Sequence, residues 1–277
     1  MPDYQIKATY EHHVGNDLTV ANAARVSFGK RSSMVEDEHG VWRLKDADKR
    51  LIQFLAKGYT ADDYDAVLRE CTDAAGRIIF SREDDHKVLT LMQGIEELES
   101  AMWAFRDKSE HKSPFNHCFA TFVVDAPMYV ARQLVKHEYM PWNEMSGRYI
   151  ELNNMFTPSA YRSKVRDKKQ GSGANIEDED HFALKALFTE HNHDSYKAYK
   201  DAIAYGLCEE QARGLLPLNT MTTWWWSGSL GAFAKMCRLR LAPDAQYESR
   251  LVAQQISNKM LELYPVAWKS LVLREFD

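Results

Sequence analysis

Cysteine is scarce. The chain has four, Cys71, Cys118, Cys208 and Cys237, none in a Cys-x-x-Cys pair. A zinc knuckle or disulfide framework is therefore not indicated, and reduced core thiols are expected. Long apolar runs are also missing. Nothing approaches the roughly 18 consecutive apolar residues of a membrane span, and MPDYQIKATYEHH lacks the basic end and apolar stretch of a secretory leader. A cytoplasmic protein that does not enter a membrane is expected. Positive charge is not in excess: 35 Lys and Arg stand against 40 Asp and Glu, a formal net charge of −5. The surface as a whole has no electrostatic pull on nucleic acid or anionic lipid, so any anion must be held by a local cluster. No internal repeat and no long low-complexity tract interrupts the sequence.

What is present suits one large globular domain over residues 1–277, at 45% hydrophobic and 27% charged. Residues 4–11 alternate like a strand, and 17–28 suit a short helix capped by Asp17. Leu51, Ile52 and Leu55 share one side of a helix over 47–57, ended by Gly58. The charged stretch 59–110 reads as a helical insertion, with 84–106 apolar at helical spacing. CFATFVV (118–124) is β-branched and aromatic, a buried strand. Asp125-Ala126-Pro127 then opens a helix over 127–138, Asp125 being the candidate cap. On that helix Gln133, Lys136 and His137 share a face. Residues 148–152 are expected to return as a strand, and 220–226 reads as strand or extended chain before a helix near Leu230. Long helices are expected over 178–206 and 244–262.

The densest polar stretch is ARQLVKHEYMPWNEMSGRY, residues 131–149. Arg213 and Arg240 lie in apolar settings. A buried guanidinium needs either a carboxylate of the protein or an anionic ligand, and the internal ion pair is the commoner answer. Glu209 and Glu210 stand where local pairing could orient Arg213. His191 and His193, on a polar helix with no further ligand at helical spacing, read as solvated, and no metal site is expected. The Trp224–Trp226 run reads as core or interface, with a cofactor shelf as the alternative.

Five segments, taken in order, resemble the flavin-dependent thymidylate synthase family: GNDLTVANAARVSF (15–28), HKSPFNHCFATFVVDAPMYVARQ (111–133), KHEYMPWNEMSGRY (136–149), ARGLLPLN (212–219) and RLAPDAQYESR (240–250). The resemblance implies an α+β fold, a mixed sheet with long helices, assembled as a homotetramer with active sites where subunits meet. It implies methylation of deoxyuridine monophosphate to thymidylate, with methylenetetrahydrofolate as carbon donor, FAD as cofactor and NADPH as reductant. Carried over, the nucleotide site comprises Gln133, Lys136, Glu144, Ser146, Gly147, Arg148, Arg213 and Arg240. Of these, Arg240, Ser146 and Arg148 are the catalytic candidates, Ser146 as a positioning hydroxyl. Ser27, His111, Ser113 and His137 fall on the flavin side. Several cations and the Gly147 amide suit a phosphate monoester and would polarise the pyrimidine carbonyls. No enzyme nucleophile is implied, in keeping with cysteines that stand beside no evident base.

Departures from the family pattern gather on the flavin side. Glu138 occupies the third position of the R-H-R triplet, Pro141 a serine position, and Asn116 a glutamate position. Ser229, Gly231 and Asp244 replace an asparagine, an arginine and a histidine. Three readings stay open: a divergent flavin enzyme, holding FAD through the tryptophan run or Lys168 and Lys169; a flavin-independent, folate-dependent hydroxymethylase of a deoxypyrimidine monophosphate; and a nucleotide-binding protein without catalysis. Uracil and cytosine nucleotides are both compatible with the sequence.

Overall fold

The structure, a computed structural model, describes residues 5–58, 60, 79–82, 85–88, 111–165, 171–177 and 179–273. Along the chain, strand β1 (Lys7–Val14) precedes helices α1 (Asp17–Arg25) and α2 (Asp46–Lys57). Strand β2 (Phe119–Pro127) runs directly into α3 (Met128–Leu134), followed by β3 (Trp142–Glu144) and the long helix α4 (Glu179–Ala204). Strand β4 (Met221–Ser229) runs directly into α5 (Leu230–Arg240), and α6 (Tyr247–Leu263) follows. This is the expected α+β architecture. Contacts divide the chain into two units, one of Met1–Val14 and Phe119–Glu262, the other of Gly15–Cys118 and Leu263–Asp277.

The first unit is built on an antiparallel sheet of order β1-β2-β4-β3. Its period-2 pattern explains its core. On β2, Ala120, Phe122, Val124 and Ala126 are buried, and the register sets them opposite Gly228, Trp226, Trp224 and Thr222 of β4, also buried. Phe233 of α5 packs edge-to-face on Phe122 (5.3 Å) and Trp226 (5.6 Å). Gly228 lets these side chains approach closely, since a Cβ would lie 3.1 Å from the Met140 methyl and 3.2 Å from the Phe233 ring. Helix α6 buries Val252, Ala253, Ile256 and Met260 at helical spacing, and the Cys237 thiol of α5 donates to the Ala253 carbonyl at 3.6 Å.

Four local expectations are corrected here. Asp125 caps no helix: β2 continues to Pro127, and the Asp125 carboxylate accepts from the Thr223 hydroxyl at 2.5 Å across the ladder. Helix α3 stops at Leu134 instead of 138, and Tyr139 then takes a left-handed φ of 59° before the Met140-Pro141 step, which disfavours helix. Residues 148–152 form no strand, because Tyr149 and Ile150 donate back to the Ser146 carbonyl; the strand that joins the sheet is β3. At α1 the cap is Asn16, which forms a reciprocal box with Thr19, and not Asp17.

In the second unit Asp17 has another task. Its buried carboxylate accepts from the backbone amides of Val266 and Ala267 at 2.9 and 3.0 Å, at the start of the short helix Pro265–Trp268. A second buried carboxylate, Asp48 of α2, accepts from Arg25 through Nε (2.7 Å) and Nη2 (2.6 Å) and from the Ser32 hydroxyl (2.5 Å). Of the stretch expected to be a helical insertion, most lies outside the described residues. What is described, Ile79–Arg82 and Asp85–Val88, forms an antiparallel pair.

Asp48→Ala would strip the acceptor from three donors. It should lower the unfolding free energy by about 3 kcal/mol, read as an earlier urea midpoint with unchanged slope.

Candidate functional site

Two clusters of expected site residues form in the sheet unit. The first lies where α3, α5 and α6 meet. Arg240, in the last turn of α5, donates through Nε to His137 Nε2 (3.1 Å) and through Nη2 to the Gln133 carbonyl (3.1 Å). Arginine has no acceptor atom, so His137 must accept at Nε2 and carry its proton on Nδ1. Burial, then the charges of Arg240 and Lys235, pull the His137 pKa from 6.5 to about 4, so the ring is neutral. Burial also lowers the Arg240 pKa from its ordinary value.

Beside this cluster opens a cavity of about 520 Å³, lined by Gln133, Arg240, Arg162, Asp244, Gln246 and Glu248 among others. That is the size of an ordinary small-ligand pocket. Glu248, almost fully buried, accepts from Arg162 at 2.5 Å and from Gln246 at 3.0 Å.

The second cluster gathers Glu144, Ser146, Gly147, Arg148 and Arg213. Glu144, on β3, accepts from the Thr222 hydroxyl (2.6 Å) and from the Trp142 indole (3.1 Å). Arg148 donates its amide to Ser146 Oγ at 3.3 Å, closing the turn, and its guanidinium lies over the Tyr149 ring. Gly147 is buried and packed close: a Cβ would lie 2.7 Å from Leu152 and 3.5 Å from Arg213 Cδ. Arg213 donates to the backbone carbonyl of Glu210 (3.2 Å), so local orientation comes from the peptide and not from the Glu209 or Glu210 carboxylates.

Neither Arg213 nor Arg240 has a carboxylate partner among the described residues; both donate to neutral acceptors. Among the described residues the commoner expectation of an internal ion pair is not met for either, and Arg213 is exposed, so the burial that would demand a partner does not apply to it. No hydrogen bond or ion pair among the described residues joins the two clusters. Their connection is aromatic: His137 tilts against Trp226 (6.4 Å), Trp226 meets Trp142 edge-on (5.7 Å), and Trp142 binds Glu144. Lys136 is exposed and follows the end of α3, so it no longer shares a helical face with Gln133.

Of the flavin-side candidates, Ser27, His111 and Ser113 are exposed residues of the second unit, and His137 belongs to the first. Glu138 pairs with Lys235 at 3.6 Å, and Ser229 is used as the α5 cap, accepting from the Ala232 amide. Trp224 and Trp226 are fully buried, Trp224 stacking on Trp142 at 4.4 Å, which leaves only Trp225, 49% exposed, as a possible shelf. Lys168 and Lys169 lie outside the described residues. Burial and the Asp17 charge push the Cys118 thiol to about 12, and burial raises Cys237 as well, so neither is poised as a thiolate.

Sequence reasoning missed Arg162, Gln246, Glu248 and Ser249. The last three lie inside RLAPDAQYESR, where alternating polar residues on an amphipathic helix were the available signal. Arg162 gave none, since it sits on a two-residue strand.

An antiparallel sheet flanked by helices, with a cavity of small-ligand size edged by Arg240, makes this an α+β protein with a candidate small-molecule site. Residues 63–266 match the model of the thymidylate synthase complementing protein family, Thy1, and the chain belongs to that family. The match leaves out the 15–28 block and runs across 63–110. A flavin-dependent thymidylate synthase of Thermus thermophilus is 36% identical over 171 residues, 61% of this chain and 62% of that protein. The matched chain thus spans a little under two thirds of that relative's length. Another, from Pseudothermotoga lettingae, is 26% identical over 233 residues, 82% of this chain and 95% of its own. Among solved structures, the UMP/dUMP methylase PolB from Streptomyces cacaoi bound with 5-Br dUMP superposes with a TM-score of 0.67 at 22% identity, over 97% of this chain and 95% of that one. At that identity the likeness speaks for the fold.

An NMR titration of His137 should give a midpoint near 4 with the neutral proton on Nδ1. The unfolded ring protonates near 6.5 and the folded one only near 4, so stability from the neutral ring is complete above 6.5 and is lost as pH falls toward 4. A midpoint at 6.5 would contradict the Arg240 contact.

Proposed function

We propose that the protein methylates deoxyuridine monophosphate to thymidylate, taking the carbon from methylenetetrahydrofolate, with FAD as cofactor and NADPH as the source of electrons. The observation that carries this reading is the pair of arginines, exposed Arg213 and half-buried Arg240, whose guanidinium groups meet only neutral acceptors among the described residues. Uncompensated charge of that kind favours a phosphate monoester, and the same groups draw electron density from a pyrimidine carbonyl. Arg213, Arg148, Ser146 and the Gly147 amide would hold the phosphate, with Arg240 and Gln133 at the base and Lys136 and Glu144 completing the nucleotide site. A homotetramer with active sites where subunits meet, as the resemblance implies, is part of this reading. A single cytoplasmic catalytic domain over 1–277, with 59–110 as an insertion, is part of the same proposal.

The residues fit a flavin at one decisive point. A flat heterocycle needs neutral, directional donors, and His137 offers Nδ1–H with Nε2 already taken by Arg240. On this reading His137 is the flavin-side residue of the first unit, and Ser27, His111 and Ser113 are those of the second; the cofactor, when bound, would supply hydride chemistry to the pyrimidine. The chain's own groups position the base, neutralise the phosphate and keep the imidazole unprotonated. A second reading has its own observation: Glu138 stands, paired to Lys235, where the resemblance leads to a cation. That favours a flavin-independent hydroxymethylation, in which water and not hydride completes the product.

Purified protein should show flavin absorbance, and mass analysis should find thymidylate formed from deoxyuridylate and methylenetetrahydrofolate. A hydroxymethyl product without flavin selects the second reading. Arg213→Ala, at an exposed position, should weaken deoxyuridylate binding roughly 100-fold by calorimetry with unchanged Tm.

A further inference from the structure

The cavity wall carries a hydrogen-bonded chain whose direction is dictated from one end. Glu248, paired to Arg162 at 2.5 Å, is a carboxylate and can only accept. Gln246 must therefore turn its Nε2 toward Glu248, as it does at 3.0 Å. That leaves Gln246 Oε1 to face Gln133, which answers with its own Nε2. Gln133 Oε1 is then the atom that accepts from the Ser249 hydroxyl, at 2.9 Å. An isolated glutamine presents its carboxamide either way round at nearly equal energy. Here each successive amide has one allowed orientation, because reversing it would set donor against donor or acceptor against acceptor in a half-buried network.

Once these bonds are made, Gln133 retains one N–H and one carbonyl lone pair, and it lines the cavity. We propose that Glu248, acting through Gln246 as a positioning residue, fixes the direction of the Gln133 carboxamide and so makes the cavity accept the lactam edge of uracil and refuse the amidine edge of cytosine. The inference rests on the nucleotide reading above. A fixed C=O beside a fixed N–H pairs with the ring N–H and carbonyl of uracil. Against cytosine the same two groups meet a bare ring nitrogen and an amino group, so both contacts become repulsive. If the amide were free to turn over, it would pair with either base.

The test compares binding of deoxyuridine and deoxycytidine monophosphates by calorimetry in the wild type, Gln246→Met and Glu248→Gln. Gln246→Met keeps the Glu248–Arg162 pair, which guards against a folding failure in the second variant. The wild type should prefer the uracil nucleotide, and each variant should lose that preference by about tenfold or more, with the Tm of Gln246→Met unchanged. An unaltered preference in a variant of a uracil-binding protein overturns the proposal. If the wild type binds neither nucleotide, the functional reading fails, and the Gln133 side-chain amide decides this inference by itself. Its NMR signals should be exchange-protected in the wild type and unprotected in Gln246→Met; equal protection in both overturns it.

Discussion

A guanidinium that, among the described residues, finds only uncharged partners sets the character of this molecule. Arg240 is partly withdrawn from water, yet it spends its donors on an imidazole nitrogen and a peptide carbonyl. A carboxylate in either place would have cancelled the charge. Because the acceptors are neutral, they do not cancel the Arg240 charge; burial first, and then that charge together with Lys235, keeps His137 unprotonated.

That contact depends on the sheet beneath it. Strands β2 and β4 each pass without a loop into a helix, α3 and α5, so Gln133 and Arg240 are carried by elements whose starts are fixed by neighbouring strands. The tryptophans of β4 divide by parity: Trp224 and Trp226 fill the core face, and Trp225 points the other way. Trp142 stacks on Trp224 and bonds Glu144, so a rigid aromatic body sits between the two clusters. Side chains built on strands and buried rings lose little orientation when a ligand arrives, which is the condition for binding energy to be used on geometry.

Much of the fold was legible in the sequence. The α2 pattern, the β4 strand with its following helix, and α6 are regular enough that periodicity locates them. The errors share a cause. Asp17 and Asp125 are good local caps by propensity, and in both cases a distant partner claims the carboxylate: the Val266 and Ala267 amides for one, the Thr223 hydroxyl for the other. Helix α3 ends early for a similar reason, since the left-handed Tyr139 and the β3 pairing redirect the chain after Leu134.

Five segments in order carried the resemblance to the family, and the net charge of −5 set the expectation that any anion is held by a local cluster, with Arg213 and Arg240 as candidates. Whether those cations are neutralised was decided by tertiary structure alone, because an ion pair depends on which carboxylate comes within a few ångströms, and sequence separation carries no such information. Glu248 shows the converse. It reads as one more acid on a helix, and only the approach of Arg162, 86 residues away, makes it the fixed end of a chain of amides.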